Sequence, residues 1–157
     1  MCFLNFDFDF NFSGTKLQEA WWNTSAQRVK SWTGYDGSPN VEEVTHGHVK
    51  TLDLSVPQDL GRQWDWVMSL EVGEHIPKQF EDTYLTNVLK PAKEGIVMSW
   101  AIRGQGGRSH VNELNNVEVV EMLVERGFLP VFSWWHTLRE NASLYWFKNT
   151  LMVFRRA

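Results

Sequence analysis

The chain has 157 residues, 43% of them hydrophobic and 22% charged, so it can fill one core and is not a disordered segment. Fifteen basic residues against nineteen acidic ones leave a net charge of −4, which gives no general attraction to nucleic acid or to an anionic membrane. The single cysteine, Cys2, excludes an internal disulfide and a cysteine-cluster metal site. No apolar run is long enough to span a bilayer. No basic region leads into the acid-interrupted opening as it would in a secretory signal, so the expectation is a cytoplasmic domain without a membrane partner.

In chain order, Phe6, Phe8, Phe10 and Phe12 alternate with Asp7, Asp9 and Asn11, the pattern of a half-buried strand that Ser13-Gly14-Thr15 ends. A helix is predicted from Lys16 to Lys30, with Thr15 and Gln18 as a capping box. Trp32 to Tyr35 reads as a short strand ending at Asp36-Gly37, and Ser38 and Pro39 suit the N-cap and first position of a short helix through Val44. Strands are predicted over Val49–Leu54 and Asp65–Leu70, the latter apolar enough to be covered on both faces. Pro77 opens a helix that carries Phe80, Tyr84, Leu85, Val88 and Leu89 at helical spacing and ends at Pro91.

Ile96–Ala101 is the next predicted strand, followed by a Gly-rich loop from Gly104 to Asn112. Asn115 and Glu118 cap a helix that stops at Gly127. Two closing strands are predicted at about Pro130–His136 and Thr150–Arg155 with no long helix between them, which favours an antiparallel hairpin. Strands alternating with helices predict an α/β domain: a mainly parallel sheet with helices on both faces and an antiparallel last strand.

Ligands in such sheets sit outside the carboxyl ends of the strands, so the residues following each strand are the candidates. Asp36 can accept hydrogen bonds from both hydroxyls of a ribose, with Gly37 allowing close backbone approach; singly, Asp-Gly is equally an ordinary turn. Asp53 and Leu54 could flank a nucleobase. Glu71, Glu74 and His75 crowd the loop before Pro77, but their spacing is not the H-E-x-x-H zinc pattern, and the expectation is no metal.

The run from Trp64 to Pro77, read as Asp, apolar residues and then Glu-x-x-Glu-His-apolar-Pro, resembles the fourth-strand motif of class I S-adenosylmethionine-dependent methyltransferases, in particular the type-11 group. The resemblance extends through Gly95–Trp100 and Glu125-Arg126-Gly127-Phe128, covering about residues 32–128; residues 1–31 form an atypical leading segment of a single domain spanning 1–157. It implies a Rossmann-like methyltransferase fold with S-adenosylmethionine as methyl donor and an O or N acceptor. It also implies donor-binding roles for Asp9, Gly14, Asp36, Gly37, Asp53, Leu54 and Glu71. His75 and His110 are the candidate bases, the latter in a polar Gly-rich loop suited to an acceptor.

The family's first loop reads Asp/Glu-x-Gly-x-Gly-x-Gly. The corresponding Asp9-Phe10-Asn11-Phe12-Ser13-Gly14 keeps only Gly14, so weak or absent donor binding is expected. The alternative is a non-catalytic or truncated methyltransferase-like protein. A nicotinamide-dependent oxidoreductase would share the acid after the second strand but not the Glu71–Pro77 segment.

Overall fold

The computed structural model describes residues 2–8 and 29–157. Its strands are β1 (Cys2–Phe8), β2 (Val29–Asp36), β3 (Val49–Thr51), β4 (Trp64–Leu70), β5 (Ala92–Met98), β6 (Phe128–Pro130) and β7 (Met152–Arg156). The α-helices among the described residues are α1 (Val41–Val44), α2 (Glu81–Leu89), α3 (Asn116–Glu125), α4 (Phe132–Glu140) and α5 (Phe147–Thr150). The strands form one sheet in the order β3-β2-β1-β4-β5-β7-β6.

Pairing fixes the directions. β2 and β3 are parallel, as are β4 and β5, whereas β1 runs antiparallel to both β2 and β4, and β7 antiparallel to both β5 and β6. Five strands therefore share one direction and two oppose it. The expected sheet had its last strand alone reversed; β1 is reversed as well. Its amino end, Cys2 opposite Leu70 and Phe3 opposite Tyr35, lies at the edge where β2 and β4 end, and Phe8 lies opposite Val29, where β2 begins.

The central strands are buried as their apolar runs require. Trp66 and Val67 of β4, Ile96, Val97 and Met98 of β5, and Met152, Val153 and Phe154 of β7 pack with Tyr84, Leu85 and Val88 of α2 and Val119 and Leu123 of α3. Gly95 lets β5 sit between Trp66 and β7, because a Cβ there would lie 2.4 Å from the Phe154 carbonyl oxygen and 2.6 Å from the Trp66 ring.

Several boundaries differ from the sequence reading. Val29 and Lys30 belong to β2 rather than to a preceding helix, and the remainder of that predicted helix lies outside the described residues. α1 starts after Asn40, which adopts a left-handed φ of 62° and makes no side-chain cap, so the Ser38–Pro39 cap is not formed. The strand expected to Leu54 stops at Thr51. The capping box of Asn115 and Glu118 is present.

The predicted strand over Pro130–His136 is the largest error, since β6 ends at Pro130 and Phe132–Glu140 is helix. Trp134, Trp135 and Leu138 recur there at helical spacing, which lets one face bury: Trp135 packs edge-on against Phe154 with ring centroids 5.7 Å apart, and Trp134 lies 5.8 Å from Trp66.

The segment between β3 and β4 is held by one buried amide. Asn87 Nδ2 donates to the carbonyls of Leu54 (3.0 Å) and Val56 (2.8 Å), and its Oδ1 accepts from the Gln58 amide (2.9 Å). Asn87→Ala would leave these backbone groups unpaired at a buried position, and we expect a loss of about 2 kcal/mol of stability. Amide exchange should report the loss at Gln58 before it reaches β5; unchanged protection at Gln58 would show that the amide is dispensable.

Candidate functional site

β2, β3, β4 and β5 all end at one edge of the sheet, and the chain that follows each of them builds a cleft. A cavity of ≈ 470 Å³ lies there, lined by Tyr35 to Pro39, Thr51 to Ser55, Val72, and His75 to Pro77. Asp36, Gly37, Asp53, Leu54 and His75 are thus brought together. Glu71 and His110 are not among the lining residues, and Asp9 and Gly14 lie outside the described residues.

Asp36 ends β2, and its Oδ1 accepts the Ser38 amide at 2.7 Å. Burial raises the Asp36 carboxyl, but the hydrogen bonds from Ser38 act the other way and its net pKa is below the ordinary value. Gly37 is not sterically required, because a Cβ would meet only the Leu52 carbonyl at 3.5 Å. Asp53 accepts from both the hydroxyl (2.6 Å) and the amide (2.8 Å) of Ser55, and these hydrogen bonds lower its pKa. Both acids are therefore ionised at neutral pH.

The segment after β4 turns away from the cleft more than its charge suggests. Glu71 has a left-handed φ of 55°, its amide donates to Ser99 Oγ (2.8 Å), and that hydroxyl donates back to Glu71 Oε1 (2.8 Å). The carboxylate is thus held by the residue following β5, which accounts for its absence from the cavity wall. Glu74 is fully buried, and its oxygens make no hydrogen bond of good geometry, only looser approaches from its own backbone amide and that of Ala101. Burial pushes its pKa up to about 7, with the nearby Glu71 charge adding to the effect. Of the three ionisable residues crowded before Pro77, only His75 lines the cavity, and Glu74 is buried away from it.

Gly73 makes the inward turn of Glu74 possible, because a Cβ there would lie 2.5 Å from the ring of buried Trp100. The Trp100 indole donates to the Asn112 carbonyl (2.6 Å), Asn112 donates to Glu81 Oε2 (2.8 Å), and Lys78 pairs with Glu81 Oε1 (2.6 Å).

The Gly-rich loop after β5 is stitched to this segment. The amides of Val111 (2.8 Å) and Asn112 (3.0 Å) both donate to the Glu74 carbonyl, which sets His110 beside His75 with ring centroids 4.9 Å apart and edge to face. The Gly104 and Gly106 amides donate to the two carboxylate oxygens of Glu113 (2.7 and 2.8 Å), so these two donors are taken up within the loop rather than presented to an outside anion. Arg103 forms a two-point pair with Glu118, at 2.6 and 2.9 Å.

His75 Nδ1 meets the Ser109 carbonyl at 3.1 Å, and His110 Nδ1 meets Glu113 Oε1 at 3.1 Å. A carbonyl or carboxylate oxygen only accepts, so in both neutral rings Nδ1 carries the proton and Nε2 the lone pair. Burial, and then the neighbouring His110, hold His75 below its ordinary pKa.

No protein-family model and no curated protein sequence matches the chain. Among solved structures it is similar to the 1,6-didemethyltoxoflavin-N1-methyltransferase of Burkholderia thailandensis, with 16% identity and a TM-score of 0.52 over 78% of this chain and 60% of that one. It is also similar to LepI, solved in complex with SAM, with 14% identity and a TM-score of 0.50 over 78% of this chain and 35% of that one. The magnesium protoporphyrin IX methyltransferase of Synechocystis PCC 6803 follows, with 17% identity and a TM-score of 0.49 over 75% and 57%. The chain spans less than two thirds of the length of each of these proteins. At such identities the likeness shows the fold, a Rossmann-like methyltransferase fold.

Proposed function

We propose that the chain is a methyltransferase domain that takes S-adenosylmethionine as donor and passes its methyl group to an oxygen or nitrogen nucleophile. The observation that carries the reading is the joining of Asp36 and Asp53, from successive strand ends, with Leu52, Leu54 and Ile76 in one cavity beside His75. The volume suits a nucleoside. Asp36 would accept the ribose hydroxyls, the apolar side chains would flank the adenine, and Asp53 would border it. When bound, the sulfonium donor supplies an electrophilic methyl carbon, and the chain's contribution is to hold the two reactants in line. His75 and His110 would serve the acceptor, each with Nδ1 engaged and the lone pair of Nε2 available to take a proton.

One observation favours a second reading, a methyltransferase-like domain without transfer activity. The reversed β1 has its amino end at the cleft and its last residue, Phe8, at the opposite edge, so this strand does not end where a donor-wrapping loop would begin. Both readings share the nucleoside contacts.

The test is calorimetric titration of the full chain with S-adenosylmethionine, S-adenosylhomocysteine and adenosine. Among the described residues the cavity-lining groups address the nucleoside, so adenosine should retain most of the affinity. Asp36→Ala should weaken all three by roughly ten- to a hundredfold, the loss of a charge-assisted hydrogen bond worth about 1.5–3 kcal/mol. No binding by the parent, or equal binding by a folded Asp36→Ala variant, would overturn the assignment. Methyl transfer in a single turnover separates the two readings.

A further inference from the structure

The methyltransferase reading uses His75 and His110 loosely and leaves Glu74 unexplained. A fully buried carboxylate whose oxygens make no well-formed hydrogen bond is costly, and proteins keep such a group where something else satisfies it. One ligand atom each from Glu74, His75 and His110 lies within 4.8 Å of the others. We propose that these three side chains hold one divalent transition-metal ion, with zinc the best match to their chemistry.

Two imidazoles and one carboxylate form a ligand set that leaves a fourth tetrahedral position open, the arrangement of catalytic rather than structural zinc. The surroundings prepare both rings for it. The Ser109 carbonyl on His75 Nδ1 and the Glu113 carboxylate on His110 Nδ1 turn Nε2 into the ligating atom of each ring, and Glu113 completes a carboxylate–histidine relay of the kind that orients metal-bound imidazoles. Ser109 takes a left-handed φ of 65°, a strained conformation for a non-glycine residue.

Gly107 leaves room for the second ring, since a Cβ there would lie 2.3 Å from His110 Nε2. Ligands of a tetrahedral zinc ion stand about 3.3 Å apart, so the three groups, with a ligand atom of each within 4.8 Å of the others, would draw together on the ion. His75 also lines the cavity, so an ion held here borders it. The inference goes beyond the methyltransferase reading and stands whether or not the cleft takes a donor.

The test uses the full chain, dialysed against chelator and then titrated calorimetrically with zinc alone, with no donor present. We expect one site per chain and a rise in thermal midpoint with zinc. Binding should weaken at least a hundredfold in Glu74→Gln and in His110→Ala. Gly107→Ala, which keeps all three ligands but displaces the His110 ring, should weaken it as well. A His46→Ala, His48→Ala double variant controls for exposed imidazoles and should bind as the parent does. Visible absorption of bound cobalt reports ligand geometry independently of activity, and its loss in variants that keep the parent's circular dichroism separates ligand loss from misfolding. Absence of a stoichiometric site in the parent would overturn the proposal, as would equal affinity in the folded Glu74→Gln and His110→Ala variants. Donor titration is a separate experiment, so failure of the methyltransferase reading and failure of the metal site are distinguishable.

Discussion

Gly95→Ala should be among the most destabilising single-methyl additions in this molecule, with an expected loss of more than about 3 kcal/mol. The added Cβ would sit 2.4 Å from a backbone oxygen of β7 and 2.6 Å from the Trp66 ring. Neither neighbour can yield cheaply: the carbonyl belongs to a strand hydrogen-bonded on both sides, and Trp66 is buried at 2% exposure. The thermal midpoint should fall by about 10 °C for a chain of this size. Gly37→Ala is the matched control, because its Cβ makes an ordinary 3.5 Å contact with Leu52. Similar midpoints for the two variants would show that β5 is not packed as tightly as described.

The second large effect concerns Glu74 and pH. In protein freed of divalent ions by chelator, the parent should lose about 3 kcal/mol of stability relative to Glu74→Gln as pH rises from near the ordinary carboxylate pKa of 4.5 through about 7. The sign follows from proton counting. Burial raises the folded-state pKa, so over this interval the folded chain keeps a proton that the unfolded chain has released, and stability falls as pH climbs. Above the folded-state value the penalty is complete and the difference levels off. Denaturant unfolding of both proteins at several pH values measures it; parallel profiles would mean that Glu74 is solvated or paired.

Much of this architecture was legible because burial leaves a strong mark on sequence. The run from Trp64 to Leu70 reads as a covered strand and is one, and the Asn115–Glu118 capping box marks the start of α3. Asp36, Asp53 and His75 could be placed at the cleft because each follows a strand whose direction was inferred correctly. Direction itself leaves no such mark: an alternating strand looks the same either way round, which is why the reversal of β1 was missed. Phe132–Glu140 was misread because its aromatic residues favour strands, although Trp134, Trp135 and Leu138 already carry helical spacing. The grouping of Glu74 with His110 could not be read from spacing, since it is made by two backbone amides, of Val111 and Asn112, reaching the Glu74 carbonyl across the fold.

The reversed first strand has a consequence for how the molecule comes apart. Strands β4 to β7 pair among themselves, and β2 pairs with β3, but among the described residues no backbone hydrogen bond of the sheet joins these two blocks except through β1. The block of β2 and β3 is otherwise tied on by side-chain packing of Tyr35, Leu52 and Leu54 and by the Asn87 amide. The sheet is therefore a cooperative unit with a seam. Its larger block can nucleate from pairings within residues 64–156, while closure of the seam must wait for contacts between distant parts of the chain, such as Cys2 with Leu70. Native-state exchange should then resolve two openings, with Tyr35 and Lys50 released in a lower-energy event than Ile96 and Phe154. Because the cavity is walled by residues from both sides of that seam, whatever binds there adds its own free energy to the weaker joint.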